Sequence, residues 1–336
     1  MKKFLFLLLL LLLAASATAY VAFTPFGPTT ETFVDIPSGT GSLGIAARLA
    51  NAGVIRSRFA FELWRRYKGG TLRAGEYRFD HPATVGEVYA RIARGDVFTL
   101  TLAVPDGFNI FDIADAAQKA GLGSAQDFLA AERRDTNLIS DLSPHPQSLE
   151  GFLFPDTYRF SRHSTPDRMV AAMVKRFRAA AVEEGLLAPP DAIGDKSLYD
   201  VARVVTMASL VEKEVRVEAE RPLVAGVFEN RLATGMALAT DPSVIYAALL
   251  EDRWRGTIYR SDLQSDSLYN TYKHKGLPPG PIANPGVAAL RAAMKPARTN
   301  FLYFVADAQG HSRFSVDLKE HAAQVQTYRQ AEKGQR

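Results

Sequence analysis

The stretch LYDVARVVTMASLVEKEV, residues 198–215, predicts one amphipathic helix. At about 100° per residue, its apolar side chains fall into a single stripe with helical spacing. Glu212 lies near the middle of that stripe, where a core residue is expected, whereas Glu214 projects from nearly the opposite side. The stripe consists of Leu198, Val201, Val204, Val205, Ala208 and Val215.

The position of Glu212 among apolar residues bears on the chemistry of its carboxyl group. A carboxyl group held against apolar neighbours loses hydration, so its pKa rises and it can stay protonated near neutral pH. A protonated carboxyl of this kind can serve as a general acid. The alternative is that Glu212 lies at the end of the helix and reaches water or a salt-bridge partner, because perturbed carboxyls include structural ones.

Composition excludes several classes of protein. The 336 residues allow two or three domains, and the net charge of +4 is scattered, with no nucleic-acid motif. The absence of cysteine excludes disulfides, thiolate metal sites and a Cys nucleophile. Six histidines without an H-E-x-x-H motif predict no metal site. Gly39–Gly44 matches a dinucleotide fingerprint in form, but no acidic residue follows at the required distance, so we expect no cofactor.

The N-terminus predicts a membrane anchor. Lys2 and Lys3 precede an apolar run from Phe4 to Phe23. About 20 apolar residues suffice to span a bilayer, and the two lysines keep the N-terminus cytoplasmic. The alternative is a cleavable signal peptide, for which Ala17-Thr18-Ala19 offers a cleavage site. We expect a transmembrane anchor at residues 1–24, a linker at 25–31, and the remaining chain outside the cytoplasm.

An internal repeat follows the linker. Val34–Gly39 matches Leu102–Gly107, from position 34 to position 102, an offset of 68 residues that holds without gaps. Each copy predicts a strand, a Pro/Gly turn, a helix closed by glycine, and a second helix. A further strand is predicted at 73–79, which gives residues 32–100 a LysM-like order. LysM modules bind N-acetylglucosamine chains; a purely structural role is the alternative left open.

Residues 101–336 predict a mostly helical domain with a small β-sheet. A helix is predicted over 221–233, and Ser197 is expected to cap the Glu212 helix. A hairpin is predicted from 301–306 and 312–316. The fold class is therefore α+β, with an N-terminal transmembrane helix and a LysM-like βα subdomain ahead of this domain.

Five motifs occur in order along the second half of the chain. They are Glu150–Tyr158 (EGFLFPDTY), Met207–Glu214 (MASLVEKE), Glu229–Leu232 (ENRL), Thr240–Tyr246 (TDPSVIY), and Tyr269–Tyr272 (YNTY) with Gly276–Ile282 (GLPPGPI). Each motif alone is a weak signal, but the five together are specific. The chain resembles the endolytic murein transglycosylases of the YceG type, and the resemblance covers residues 30–330.

The resemblance implies a location and an activity. It implies a single-pass inner-membrane protein whose N-terminus is cytoplasmic and whose catalytic domain, 101–336, is periplasmic. That domain would cut nascent peptidoglycan strands internally and terminate their growth, without a cofactor. The family's catalytic glutamate falls on Glu212. The resemblance also implies penicillin-binding synthases as partners, beside the glycan strands and the inner membrane; no nucleic-acid partner is expected.

A single carboxyl suffices for this chemistry. As an acid, Glu212 would protonate the glycosidic oxygen that leaves N-acetylmuramic acid. As a carboxylate, it would then take the proton from the C6 hydroxyl of that sugar, which closes a 1,6-anhydro ring. Because the nucleophile belongs to the substrate, neither a second carboxylate nor an activated water is required, unlike ordinary glycoside hydrolysis.

Four residues are candidates for substrate binding. We expect Asn270, Tyr272 and Asp241 to position the sugar, with Glu150 as a further candidate. Asn270 and Tyr272 flank a Gly/Pro-rich loop that shapes a cleft wall. The alternatives are that Asp241 only caps its helix and that Glu150 only pairs with an arginine.

Two other functions remain open from the sequence. A hydrolytic muramidase would release a reducing end through water, and would need a second carboxylate, Asp241 or Glu214, facing Glu212. A non-catalytic peptidoglycan-binding scaffold would function without the Glu212 carboxyl.

Overall fold

The computed structural model describes residues 2–189, 199–307 and 309–334 of a helix-rich α+β protein. The chain divides into two compact units, Met1–Leu100 and Thr101–Arg336. The elements of the first unit are α1 (Lys2–Phe23), β1 (Thr32–Ile36), α2 (Ser42–Asn51), α3 (Arg58–Lys68), β2 (Gly75–Phe79) and α4 (Val85–Arg94).

The second unit contains most of the helices. Its elements, with β3 beginning at the boundary, are β3 (Leu100–Ala103), α5 (Ile110–Lys119), α6 (Ala125–Arg134), β4 (Thr157–Phe160), α7 (Pro166–Glu183), α8 (Val201–Glu214), α9 (Arg221–Ala233), α10 (Asp241–Leu250), α11 (Arg260–Leu263), α12 (Val287–Met294), β5 (Tyr303–Ala306), β6 (Ser312–Ser315) and α13 (Leu318–Gly334).

The first unit has one small core under a two-stranded sheet. β1 and β2 pair antiparallel, with Val34 opposite Tyr77. Tyr77 and Phe61 are among the largest fully buried side chains of the core that α2, α3 and α4 complete. α4 begins with a capping box, in which the Thr84 N–H donates to Glu87 Oε2 at 2.7 Å. The strand, two helices and strand follow in the order predicted from the sequence.

The N-terminal segment forms α1, and several of its apolar side chains are exposed, including Phe4, Leu5 and Phe6. Within the described ranges, none of the helices combines the length and the apolar content that crossing a bilayer requires. The membrane span predicted over residues 1–24 is therefore not found.

The internal repeat is confirmed by the positions of the elements. α2 begins at Ser42 and α5 at Ile110, the same offset that the sequence shows, and both helices have 10 residues. In the second copy, β3 pairs with β4, and the Val104 N–H donates to the Asp156 carbonyl at 3.0 Å. Asn109 caps α5 by accepting two backbone N–H groups. The turn between β3 and α5 is thus fixed at both ends.

The predicted helix around Glu212 is α8, and it lies at the centre of the second unit. Asp200 caps it by accepting the Arg203 N–H at 3.1 Å. Ser197, the predicted cap, lies outside the described residues. Every residue from Val204 to Val211 is buried, because α9, α10 and α12 all pack against α8. The middle of the helix is therefore buried on all sides rather than along one stripe.

The predicted hairpin is confirmed as β5 and β6, with Phe304 opposite Phe314. α9 spans the predicted residues 221–233. The strands of the described residues form three two-stranded sheets, two of them in the second unit, instead of one small sheet there. The α+β class is nevertheless confirmed.

Candidate active site

Glu212 lies in the last turn of α8 with its carboxyl enclosed by protein. Its side chain is only 5% exposed. Arg221, the first residue of α9, donates from Nη2 to Glu212 Oε1 at 2.5 Å. The Gly286 N–H donates to the other oxygen, Oε2, at 3.0 Å. Both carboxyl oxygens are therefore held in place, one by a side chain and one by backbone.

Opposing effects act on the proton of Glu212. Burial raises the pKa of the carboxyl, and the nearby charge of Asp106 adds to that rise. The Gly286 N–H and the Arg221 guanidinium stabilise the ionised form and lower the pKa, yet the net direction is upward. Glu212 thus combines a fixed geometry with a raised proton affinity, which is what a residue that gives and takes a proton requires.

Two glycines let the backbone approach this carboxyl. A Cβ at Gly107 would lie 3.4 Å from Glu212 Cγ, and the Lys213 ammonium donates to the Gly107 carbonyl at 3.1 Å. A Cβ at Gly286 would lie 2.1 Å from Asp106 Oδ2. Gly286 therefore separates two carboxyl groups, holding Glu212 by its N–H and leaving room for Asp106.

Asp106 is the second acidic group of this site, and the sequence analysis did not single it out. It lies in the turn between β3 and α5, in the second copy of the repeat. Burial raises the pKa of Asp106, the positive charge of Arg221 opposes that rise, and the negative charge of Glu218 adds to it. The signal that could have found it is the Pro105-Asp106-Gly107 turn, which we had used only to define the repeat.

Asp241 and Tyr272, two of the predicted substrate-binding residues, are brought together. The Tyr272 hydroxyl donates to Asp241 Oδ1 at 2.7 Å. Thr240 is the N-cap residue of α10 and Asp241 follows it as the first helical residue, so Asp241 is not the cap. Both side chains line a cavity of about 480 Å³, which also contains Glu214. We call it the Glu214 cavity.

The Glu214 cavity is separate from the Glu212 carboxyl. Its lining comes from the end of α8, from α9, from the residues around the start of α10, and from the β5 and α13 segments. Glu212 is not among the described residues that form it. Burial, together with the charge of Asp241, raises the pKa of Glu214 to about 7 against the opposing effect of Arg231. Neither Asp241 nor Glu214 is therefore placed at Glu212 as a second carboxylate.

Asn270, a further predicted substrate-binding residue, lies beneath the surface of the loop that precedes Tyr272. It is fully buried, and its amide donates to the carbonyls of Leu263 at 3.0 Å and Ser265 at 2.8 Å. Its side-chain carbonyl accepts the Tyr272 N–H at 3.1 Å. Asn270 thus fixes the loop that presents Tyr272.

Glu150 is also buried, in a polar network beneath the site, and no arginine of the described ranges pairs with it. It accepts the Ile110 N–H at 2.9 Å and the Asn284 side-chain amide at 2.7 Å. Burial raises the pKa of Glu150 to about 8, although the Ile110 N–H, the Tyr246 hydroxyl and the Gly151 N–H stabilise its ionised form. A carboxyl so enclosed supports the surrounding backbone.

Asn284 connects this network to the glycine that holds Glu212. Its amide also donates to the Phe108 carbonyl at 2.9 Å, and its side-chain carbonyl accepts the Leu153 N–H at 2.8 Å. Its backbone pairs with the same turn, since the Gly107 N–H donates to the Asn284 carbonyl at 2.9 Å. One side chain therefore joins the Asp106 turn, the Glu150 motif and the loop that ends at Gly286.

An Asn284→Ala variant is expected to unfold more easily by about 3 kcal/mol, because it leaves several buried polar groups without partners. The measurement is the urea midpoint. The matched control is Asn51→Ala, which removes one surface hydrogen bond to Arg58 and should change stability by less than about 0.5 kcal/mol. Equal shifts for the two variants would show that the Asn284 network contributes little.

These features define a helix-rich α+β protein whose candidate site centres on the enclosed carboxyl of Glu212. A family model described as the YceG-like family matches residues 34–327. The chain belongs to this family, which confirms the resemblance inferred from its motifs.

Named relatives and a solved structure agree with this assignment. The endolytic murein transglycosylase of Bacillus subtilis (strain 168) is 33% identical over 314 residues, covering 88% of this chain and 84% of the relative. The endolytic murein transglycosylase of Streptococcus pneumoniae serotype 2 (strain D39 / NCTC 7466) is 29% identical, and the match covers 87% of this chain and 57% of that relative. A crystal structure of a yceG-like protein from Listeria monocytogenes has a TM-score of 0.56 and 29% identity, covering 88% of this chain and 99% of that chain.

Proposed function

We propose that this protein is a peptidoglycan lytic transglycosylase that cuts glycan strands internally, with Glu212 as its acid and base. The observation that carries the proposal is the enclosed Glu212 carboxyl, held by Arg221 and the Gly286 N–H and shifted toward its protonated form. The names of the relatives from Bacillus subtilis and Streptococcus pneumoniae support the same activity.

The proposed reaction needs one proton relay and consumes no water. Glu212 donates its proton to the glycosidic oxygen as the bond from C1 of N-acetylmuramic acid to that oxygen breaks. The C6 hydroxyl oxygen of the same sugar then bonds to C1, and its proton returns to Glu212. The product carries a 1,6-anhydro end, and Glu212 is again protonated. Arg221 and Gly286 stabilise the carboxylate in the interval between the two transfers.

Four other residues receive separate roles in this proposal. Asp241 and Tyr272 contact substrate through the Glu214 cavity, where their polar atoms are available. Asn270 and Glu150 act indirectly, because both are buried and occupied by hydrogen bonds within the protein. Asn270 supports the Tyr272 loop, and Glu150 supports Asn284.

The location and the domain roles are part of the same proposal. We expect residues 1–24 to hold the chain at the inner membrane, residues 32–100 to be a LysM-like subdomain, and 101–336 to act on nascent strands outside the cytoplasm. There it would terminate strand growth beside penicillin-binding synthases. The support is the Lys2-Lys3 pair before an apolar segment, together with the location of peptidoglycan outside the cytoplasm. Cell fractionation tests this part, and recovery of the chain in the cytosol would contradict it.

Asp106 favours a second candidate function, hydrolysis by a muramidase. A muramidase activates water with a second carboxylate, and Asp106 is the acidic group that lies close enough to Glu212 to raise its pKa. Both activities use Glu212 as the acid, and they differ in whether the attacking oxygen belongs to the substrate or to water.

Product masses separate the candidates. The full-length protein is incubated with uncrosslinked peptidoglycan strands, and the fragments are analysed by mass spectrometry. We expect fragments lighter by one water than hydrolytic products, because the anhydro ring replaces a free reducing end. Fragments with free reducing ends would establish the muramidase. No new ends at all would leave the non-catalytic scaffold.

A further inference from the structure

The Glu214 cavity contains more charged and polar groups than the proposed reaction uses. It is lined by Glu214, Asp241, Arg231, Tyr272, Tyr303 and His321, among others. Its volume of about 480 Å³ lies in the range of small-ligand sites. The question is therefore which chemical group these residues would bind.

The only guanidinium that lines the described cavity is already engaged. Arg231 donates from Nε to the Leu302 carbonyl and from Nη1 to the Leu238 carbonyl, both at 2.7 Å. It also lies over the Tyr303 ring, 5.3 Å from the centroid. Arg231 thus fixes the cavity wall, and its geometry is set by backbone rather than by the two acids.

Neither carboxyl of the cavity is paired with a basic side chain among the described residues. Asp241 accepts one hydrogen bond, from the Tyr272 hydroxyl. Among the described residues, Glu214 forms no hydrogen bond or ion pair with a side chain; burial raises its pKa, and the charge of Asp241 adds to that rise. His321 adds no compensating charge, because burial and the Arg231 charge lower its pKa. Two acids therefore face one cavity without a cation dedicated to them, and a bound cation would stabilise the ionised form of Glu214.

Two further observations point to an occupant. The Thr240 hydroxyl is buried in the cavity wall without a hydrogen-bond partner in the described chain, and Thr240 is only 2% exposed. Ala239, beside it, has a φ of 50°, a left-handed conformation that costs a residue with a side chain about 1 kcal/mol. Unsatisfied polar groups and backbone strain of this kind concentrate at binding sites.

The polar groups of the lining decide which kind of cation the cavity can bind. No group of three or more acidic or histidine side chains in the described residues is arranged to hold a metal ion. A primary ammonium needs acceptors for three N–H groups, which Glu214, Asp241 and the Tyr272 oxygen can supply. Tyr303 and Phe304 offer apolar surface to the methylene chain behind it. An alkyl ammonium fits the charge and the walls together.

We propose that the Glu214 cavity binds the free side-chain amine of a diamino acid in the stem peptide of the substrate, with Glu214 and Asp241 accepting its N–H groups. The proposal rests on the proposed function, since such stem peptides branch from peptidoglycan strands. Cross-linking converts this amine into an uncharged amide. The cavity would therefore favour uncrosslinked strands, the form in which the polymer is newly made.

A binding experiment tests this without any catalytic step. Soluble stem peptides with a free side-chain amine and their N-acetylated counterparts are titrated into the full-length protein by calorimetry. We expect the free amine to bind about 10-fold tighter or more, since hydrogen bonds to charged groups are strong. Glu214→Gln should weaken the free-amine peptide to the level of the acetylated one. Equal affinities of wild type for both peptides would overturn the proposal.

A cleavage assay is the second part of the test. Uncrosslinked strands are compared before and after acetylation of their amines, and after enzymatic removal of their peptides. For wild type, we expect kcat/KM to fall about 10-fold on acetylation. Glu214→Gln should cut all three substrates at similar rates. If wild type cuts peptide-free strands as fast as peptide-bearing ones, the cavity binds sugar and the proposal fails.

Control variants distinguish the possible outcomes from one another. Glu183→Gln removes a carboxyl from an exposed part of α7, 68% exposed, and should retain the discrimination of wild type. If Glu214→Gln does not fold, Tyr272→Phe and Asp241→Asn repeat the comparison with smaller changes. Free-amine binding without cleavage of any strand would contradict the proposed function alone, whereas cleavage without amine preference would contradict only this inference.

Discussion

A Glu212→Gln variant is expected to cut glycan strands about 10³-fold more slowly than wild type, or not at all. Gln has the same shape and can still accept the Gly286 N–H, but it can neither donate an acidic proton nor take one back. The loss should appear in kcat, because the carboxyl acts on the breaking bond rather than on distant parts of the substrate. The measurement is the rate at which new strand ends form.

The variant also loses a buried ion pair, so its folding must be checked. Arg221 is 11% exposed and would keep its charge without Glu212, which costs about 3 kcal/mol in comparable buried pairs. Glu229→Gln is the matched control, because it breaks the more exposed pair with Arg203 and should cost at most about 1 kcal/mol. A folded Glu212→Gln protein with normal activity would refute the assignment of the acid.

The pH dependence of wild type follows from the same group. Glu212 must be protonated to start the reaction, and burial raises its pKa above the ordinary range for a carboxyl. The rate should therefore be sustained at low pH and fall as pH rises through that raised pKa. A profile of kcat/KM against pH tests the sign. An Asp106→Asn variant should move the fall to lower pH, since the charge that raises the pKa of Glu212 is gone.

A Gly286→Ala variant is expected to lose about 10²-fold in activity and about 2 kcal/mol in stability. The new methyl group would lie 2.1 Å from Asp106 Oδ2, well inside contact distance. Either Asp106 or the Gly286 backbone must move. If the backbone moves, the N–H that holds Glu212 moves away with it. Kinetics and urea unfolding measure the two effects separately.

The control for this prediction is a glycine with free space around it. Gly41 has an ordinary extended conformation, and a Cβ there would meet no atom within 4 Å. Gly41→Ala should leave activity unchanged and alter stability by less than about 1 kcal/mol. Should Gly286→Ala behave like Gly41→Ala, the close approach of Asp106 would have no bearing on the site.

Local patterns predicted many elements of the fold and pointed to Glu212, the residue at the centre of the candidate site. Apolar periodicity located the α8 helix and placed Glu212 against the core, and the offset between the repeats placed α2 and α5. These features depend on residues that lie a few positions apart, where helix and strand geometry fix which side chains share a face. The surroundings of Glu212 were less accessible to such reasoning.

The contacts around Glu212 come from distant parts of the chain. Asp106 and Gly286 meet beside it although they are far apart in sequence, and no periodic pattern predicts that meeting. The same limit explains Asn270 and Glu150, since a polar residue in a loop motif can face the substrate or support the loop from within. For Glu214, a helical wheel gives the direction of the side chain, but not the cavity that later segments build around it.

The pairing of β3 with β4 has a consequence for how this family can change. Asp106 lies three residues beyond the end of β3, so the alignment of that strand against its neighbour helps to determine where the carboxylate lies. A slip of one residue would turn alternate side chains to the other face and carry Asp106 away from Glu212. Insertions or deletions between β3 and α5 should therefore be rejected, while loops remote from this turn remain free to vary in length.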